Sequence, residues 1–213
     1  MVSPFIDRSD FAAIRLIENT DPNGLHMEFK DEQGTVFARV AKVYKKGGLF
    51  GLLNQDSNVH GEVRDAEGNL LLTTTSYRGE TKRDCKVEIH NPDGTLLGNL
   101  YDAHWGADFE LPDGTLVGQA ARPVRPESEP ADGPTEVVHT FIHASEQVVG
   151  TCDRHYPRRS QEERDGIWEL LILSVQTGTP VQIVTLTAPV DANLRTFLFL
   201  FPALQNLRFA RSG

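Results

Sequence analysis

Pro189-Val-Asp-Ala-Asn-Leu-Arg-Thr-Phe-Leu-Phe-Leu-Phe-Pro-Ala-Leu-Gln-Asn-Leu-Arg-Phe209 is the stretch from which the fold can be read. Val190, Leu194, Phe197, Leu198, Phe201, Leu204 and Leu207 recur at steps of three and four, the spacing of one helix face. Phe199 and Leu200 carry the apolar surface around the rest of the cylinder. Such a helix needs apolar surroundings on every side, either a bilayer or the interior of its own protein. Asp191 to Gln205 would rise only about 22 Å at 1.5 Å per residue, against roughly 30 Å of hydrocarbon, and Pro202 deletes an intrahelical hydrogen bond midway. Asp191 and Asn193 at the start, with Gln205, Asn206 and Arg208 at the end, shorten the dry part further. The sequence therefore predicts a buried helix at about 190–207, not membrane-spanning, that the preceding chain must cover.

That preceding chain is written as strands. From His26 onward, short runs rich in Val, Leu, Ile, Phe and Thr are separated by turn tetrapeptides. Asp31-Glu-Gln-Gly34, Asp65-Ala-Glu-Gly68, Pro92-Asp-Gly94 and Pro112-Asp-Gly114 each set a glycine before a strand, where a hairpin needs a residue that tolerates positive φ. The unit Pro92-Asp-Gly-Thr-Leu-Leu-Gly98 returns as Pro112-Asp-Gly-Thr-Leu-Val-Gly118, an internal hairpin repeat. A fainter copy, Ala144-Ser-Glu-Gln-Val-Val-Gly150, lacks the turn glycine.

Strands read off these turns run over Leu25 to Lys30, Thr35 to Val43, Asn58 to Arg64, Asn69 to Ser76, Asp84 to His90 and Thr95 to Tyr101. They continue over His104 to Leu111, Thr115 to Arg122, Thr135 to His143, Glu146 to His155, Ile167 to Val175 and Pro180 to Thr187. Cys85, Val87 and Ile89 alternate with Lys86, Glu88 and His90, as in a strand with one wet face. A sheet this large curls, and closure removes its edges. A ring of about twelve strands is wider than its own side chains fill. The expected fold is mainly β, an antiparallel closed barrel of about twelve strands wrapped around the hydrophobic C-terminal helix. Residues 25–213 form the barrel in this reading, and residues 1–24 an N-terminal extension. Within that extension Ser9 to Glu18 fits a short helix and a strand equally.

Composition narrows the function classes. The 213 residues suffice for one sizeable core. A net charge of -9 argues against nonspecific nucleic-acid binding. Two cysteines, Cys85 and Cys152, are too few for a disulfide scaffold, and Met1 to Asn19 lacks the pattern of a signal peptide. The expected location is the cytoplasm.

The repeated Asp-x-x-Gly and Pro-Asp-Gly hairpins, the strand count and the closing Asp191-Ala-Asn-Leu-Arg-Thr-Phe-Leu-Phe-Leu-Phe resemble the tubby C-terminal-like fold in its phospholipid scramblase and LURP-one-related branch. The resemblance covers roughly His26 to Phe209 and implies a twelve-stranded barrel around a hydrophobic helix. It also implies membrane association, since tubby proteins bind phosphoinositides and the scramblase branch is associated with membranes and calcium. The sequence departs from that branch in having neither a cysteine cluster for palmitoylation nor an Asp-x-Asp-x-Asp-Gly calcium loop.

An anionic head group needs several cations converging on a phosphate beside an apolar edge. The best candidate is Arg39, Lys42, Lys45 and Lys46, a run free of acids that leads into Gly47-Gly-Leu-Phe-Gly51, with Leu49 and Phe50 placed to contact a membrane. The competing reading is that these cations keep a strand edge soluble while Phe50 packs inward. A second group, Arg78, Lys82, Arg83 and Lys86, is diluted by Glu80, Asp84 and Glu88. His139 and His143 are too far apart along a strand to share a metal and read as solvent-facing. Asp102 with His104, and Asp153 with His155, are i, i+2 pairs for which surface hydrogen bonding is the ordinary outcome. No nucleophile elbow, phosphate-cradling loop or zinc-helix motif occurs, so neither enzymatic activity nor a cofactor is expected. The chain reads as a non-enzymatic module recognising anionic phospholipid or phosphoinositide head groups, peripheral to the membrane. The alternatives are a structural or protein-interaction domain and a carrier of an apolar ligand beside the helix.

Overall fold

The computed structural model describes residues 10–17, 26–43, 58–77, 85–103, 106–123, 135–155 and 181–209. These form twelve strands and one helix. In chain order the strands are β1 Phe11–Ile17, β2 His26–Lys30, β3 Val36–Val43, β4 Val59–Asp65, β5 Leu70–Ser76 and β6 Lys86–His90. Then follow β7 Leu96–Ala103, β8 Gly106–Glu110, β9 Leu116–Ala121, β10 Thr135–His143, β11 Val148–His155 and β12 Val181–Leu186, before helix α1, Ala192–Phe209. Each strand pairs antiparallel with its sequence neighbours, and β1 pairs with β12 to close the barrel. The expected architecture is the one found.

Two details of the strand assignment differ. Ser9 to Glu18, open between helix and strand on sequence, supplies β1, with Phe11 opposite Thr185 and Ile17 opposite His26. The barrel thus begins ahead of residue 25, because its closing strand lies in what reads as an extension. The run Ile167 to Val175 lies outside the described residues, and β11 pairs directly with β12.

The hairpin repeat sets the geometry of one whole end. Five turns share one hydrogen-bond pattern, the fourth-position amide donating to the first-position carbonyl: Gly34 to Asp31, Gly68 to Asp65, Gly94 to Asn91, Gly114 to Leu111 and Glu146 to His143. The fourth residue has positive φ in every case, and Glu146 at 67° stands where the other four copies have glycine. Each of the five hairpins also carries a register shift beside its turn, as at Phe29/Lys30 and Phe141/Ile142. These shifts are the β-bulges that such turns require, and they add the local twist that closure needs. All five turns lie at one end of the barrel; the longer connections lie at the other.

Helix α1 fills the lumen. Asp191 caps it, its Oδ1 accepting from the amides of Asn193 at 2.8 Å and Leu194 at 3.0 Å. Leu194, Phe197, Leu198, Leu200 and Ala203 are fully buried, and their positions span all sides of the cylinder. Thr196, also fully buried, donates its hydroxyl back to the Ala192 carbonyl at 2.8 Å, so no polar group is stranded there. Phe197 stacks on Phe109 of β8 at 5.8 Å, while Phe201 meets Phe109, His139 and Phe141 edge-on. Glycines let the wall approach: a Cβ on Gly98 would stand 2.5 Å from the Phe197 ring, and one on Gly118 would stand 2.8 Å from Leu194. At about 1.5–3 kcal/mol for each large side chain, this burial makes α1 the principal core element. Among the described residues no helix is long and apolar enough to cross a membrane.

Candidate functional site

The expected basic run is divided by strand alternation. Met27, Phe29, Ala38 and Val40 face the lumen, so Arg39 faces outward whereas Lys42 has lumen-side parity. Arg39 lies 3.4 Å from Glu28 on the neighbouring strand and donates to the Ala66 carbonyl at 3.3 Å, in a turn of the tight-hairpin end. The run is free of acids in sequence, but β2 brings one to it. Lys42 stands near the opposite end of β3, so these two cations share neither a face nor an end. Lys45, Lys46, Leu49 and Phe50 lie outside the described residues.

Of the second group, Arg78, Lys82 and Arg83 also lie outside them. Lys86 is committed to Glu88 at 2.7 Å and sits 5.5 Å from the Tyr77 ring centroid. Its hydrogen bond to Glu88 holds its ammonium above the usual range. For Glu88, burial works to raise the carboxyl, and the bonds from Lys86 and Tyr77 more than offset it, leaving the group below its ordinary range. This cluster is a satisfied ion-pair network on the outer wall.

His139 corrects a sequence expectation. Read as solvent-facing, it is 5% exposed and packs edge-on against Phe201 with ring centroids 4.8 Å apart. A register shift between Val137 and His139 turns His139 inward although Val137 is exposed, and a second between Phe141 and Ile142 separates it from His143. His143 is at the turn, its Nδ1 accepting from the Ser145 amide at 3.1 Å. Neither ring nitrogen of His139 has a hydrogen-bond partner among the described residues. Burial, then the charges of Arg122 and Arg154, lower the His139 imidazole to about 4, so it is neutral at pH 7.

The remaining candidates form no catalytic set. Asp153 accepts from the Thr151 hydroxyl at 3.3 Å; burial raises Asp153 and lowers His155, moving both toward their neutral forms. The side chain of Asp102, and His104 altogether, lie outside the described residues. Cys85 and Cys152 form no disulfide, and burial holds the Cys152 thiol far above its ordinary range. Among the described residues, no three His, Cys, Asp or Glu side chains cluster to hold a metal.

What the topology does assemble is an acidic set of tight turns at one end and three described cations at the other. The five tight turns, residues 31–35, 65–69, 91–95, 111–115 and 143–147, contain Asp31, Glu32, Asp65, Glu67, Asp93, Asp113 and Glu146 and no Lys or Arg. Asp65 is held below the usual carboxylate range first by its side-chain bond with Asn69, and Asp93 and Asp113 by the amides of Thr95 and Thr115. Asp65, Asp93 and Asp113 therefore stay ionised, and Arg64 and Arg39, which reach the carbonyls of Gly68 and Ala66, partly offset the negative charge of this end. At the opposite end, Lys42 and Arg154 share the lumen-side parity of Val40 and Cys152 on β3 and β11, and the exposed Arg122 directly follows β9. Asp102 and Glu136 share that parity, with side chains outside the described residues. The helix C-terminus points to this end, where cations complement its dipole. Sequence reasoning did not single out Arg122 and Arg154 because they belong to different strands and flank His139 only through the pairing of β10 with its two neighbours.

Comparison with known proteins gives no match: no family model, no curated protein and no solved structure matches this chain.

Proposed function

We propose that this protein is a non-enzymatic binding module that docks on anionic phospholipid through the long-connection end of its barrel. The observation that supports this is the placement of three cations, Lys42, Arg122 and Arg154, at the end opposite the acidic tight turns. In a chain with net charge -9, docking on an anionic surface needs a local group of cations, and Lys42, Arg122 and Arg154 supply one away from the acids of the tight turns. The β3–β4 connection leaves the same end and carries Lys45, Lys46, Leu49 and Phe50, the cations and apolar residues that the sequence offers for membrane contact. The architecture, a twelve-stranded barrel on a buried C-terminal helix, agrees with the tubby-like, scramblase-related resemblance. In this reading the protein works in the cytoplasm at the membrane periphery. The test is sedimentation of the full-length protein with neutral, phosphatidylserine and phosphoinositide vesicles at low and physiological salt. Binding to anionic vesicles only, weakened by salt and by Lys45→Glu with Lys46→Glu, is expected. Absence of binding at either salt overturns the reading and favours a structural or protein-interaction role.

A further inference from the structure

Strands β9 to β12 place a row of hydrogen-bond donors on the lumen side at the long-connection end. Arg122 follows Ala121, the partner of Thr140, and so runs alongside His139. Cys152 is the register partner of His139, and Arg154 lies two residues further along the same side. Gln182, 4% exposed, is the register partner of Arg154. A buried imidazole ordinarily donates to a carbonyl or carboxylate, and His139 does neither among the described residues. A tetrahedral oxyanion matches such a row, because its oxygens accept from an imidazole N–H and from planar guanidinium forks at once.

We propose that Arg122, Arg154 and His139, on neighbouring strands at the long-connection end, form a phosphate-binding site that takes the phosphomonoester of a lipid head group or free phosphate. The proposal rests on the anionic-lipid reading above and names the group that it selects. Arg122, exposed at the rim, is the entry. His139, neutral at pH 7, contributes a neutral N–H donor below it. Glu136 is the backbone register partner of Arg154. A bound phosphate anion also opposes the field of the two guanidiniums, so it raises the His139 imidazole from its lowered position at about 4.

The experiment follows the His139 ring by NMR in the full-length protein through a pH titration, assigned with His139→Gln, with and without inorganic phosphate. Sedimentation with phosphatidic acid and phosphatidylserine vesicles of matched charge forms the second arm. Without phosphate the ring stays neutral down to pH 5; with about 10 mM phosphate, tenfold above a millimolar site, its titration moves up by at least about one unit. Arg122→Gln, at an exposed position that leaves the core intact, abolishes that shift, together with any preference for phosphatidic acid. A phosphate-induced shift without vesicle preference supports the site and assigns it free phosphate. A shift with no vesicle binding at all supports the site while refuting the membrane reading. No shift with phosphate overturns the site, even where vesicles bind.

Discussion

Replacing His139 by Leu gives a pH-dependent stability change whose size follows from burial. The imidazole titrates at 6.5 when free and at about 4 in the fold, since burial and then Arg122 and Arg154 oppose its charging. The folded state therefore binds fewer protons than the unfolded chain as pH falls, and stability present above the unfolded value is lost on the way down. Linkage gives a loss of about 0.2 kcal/mol at pH 7, about 0.8 at pH 6, about 2 at pH 5 and about 3 at pH 4. Carboxylates held low in the fold, such as Asp93 and Asp113, add their own acid sensitivity, but it is common to both proteins. The difference between urea unfolding free energies of wild type and His139→Leu, measured at half-unit steps from pH 8 to pH 4.5, isolates the imidazole. Wild type should lose stability relative to the variant, beginning near pH 6.5 and reaching about 2 kcal/mol by pH 5. Curves that run parallel to within about 0.5 kcal/mol over this range would show His139 hydrated or paired with an acceptor, and would refute its placement against Phe201.

Three further perturbations test the packing. Gly98→Ala should cost about 1–3 kcal/mol in chemical denaturation, because its Cβ meets the Phe197 ring and the Glu110 carbonyl, each at 2.5 Å. Phe197→Leu in the same chain should recover part of that, and strictly additive effects would separate the helix from β7. Glu146→Gly should raise the melting temperature, relieving about 1 kcal/mol of left-handed backbone strain; an unchanged melt would contradict the turn geometry. Leu198→Asp, placing a carboxylate at a fully buried helix position, should abolish soluble folded protein, and a cooperative native-like melt would contradict lumen burial.

The hairpins and the central helix were legible because local chemistry leaves few choices: a glycine after Asp-x-x or Pro-Asp, and a cylinder with no polar face. Glu146 shows that the repeat survives even where its glycine is lost, since four equivalent turns and the flanking pairing over-determine the geometry. β1 was only half legible. Its Ala12-Ala13-Ile14 core satisfies either period, and pairing with β2 and β12 decides. Ile167 to Val175 has strand composition, yet composition cannot say whether a run enters the sheet, and β11 pairs with β12 without it. The site was least legible. Arg39 and Lys42 read as one patch along the chain, whereas alternation turns them to opposite sides and Glu28 answers Arg39 from the next strand. Two bulges in the β10–β11 pairing hid the inward turn of His139, and Arg122 and Arg154 meet only across β10.

The most direct test of the proposed function compares charge reversal at the long-connection end with charge neutralisation at the tight turns in vesicle sedimentation. Each basic residue near an anionic surface contributes about 1 kcal/mol, so Lys42→Glu with Arg122→Glu should weaken binding to phosphatidylserine vesicles by at least about 30-fold. Asp93→Asn with Asp113→Asn, at the tight turns, should leave it within about threefold, since that end lies more than a Debye length from the docked surface. Equal losses at both ends, or a larger effect from the turn substitutions, would contradict docking through the long-connection end.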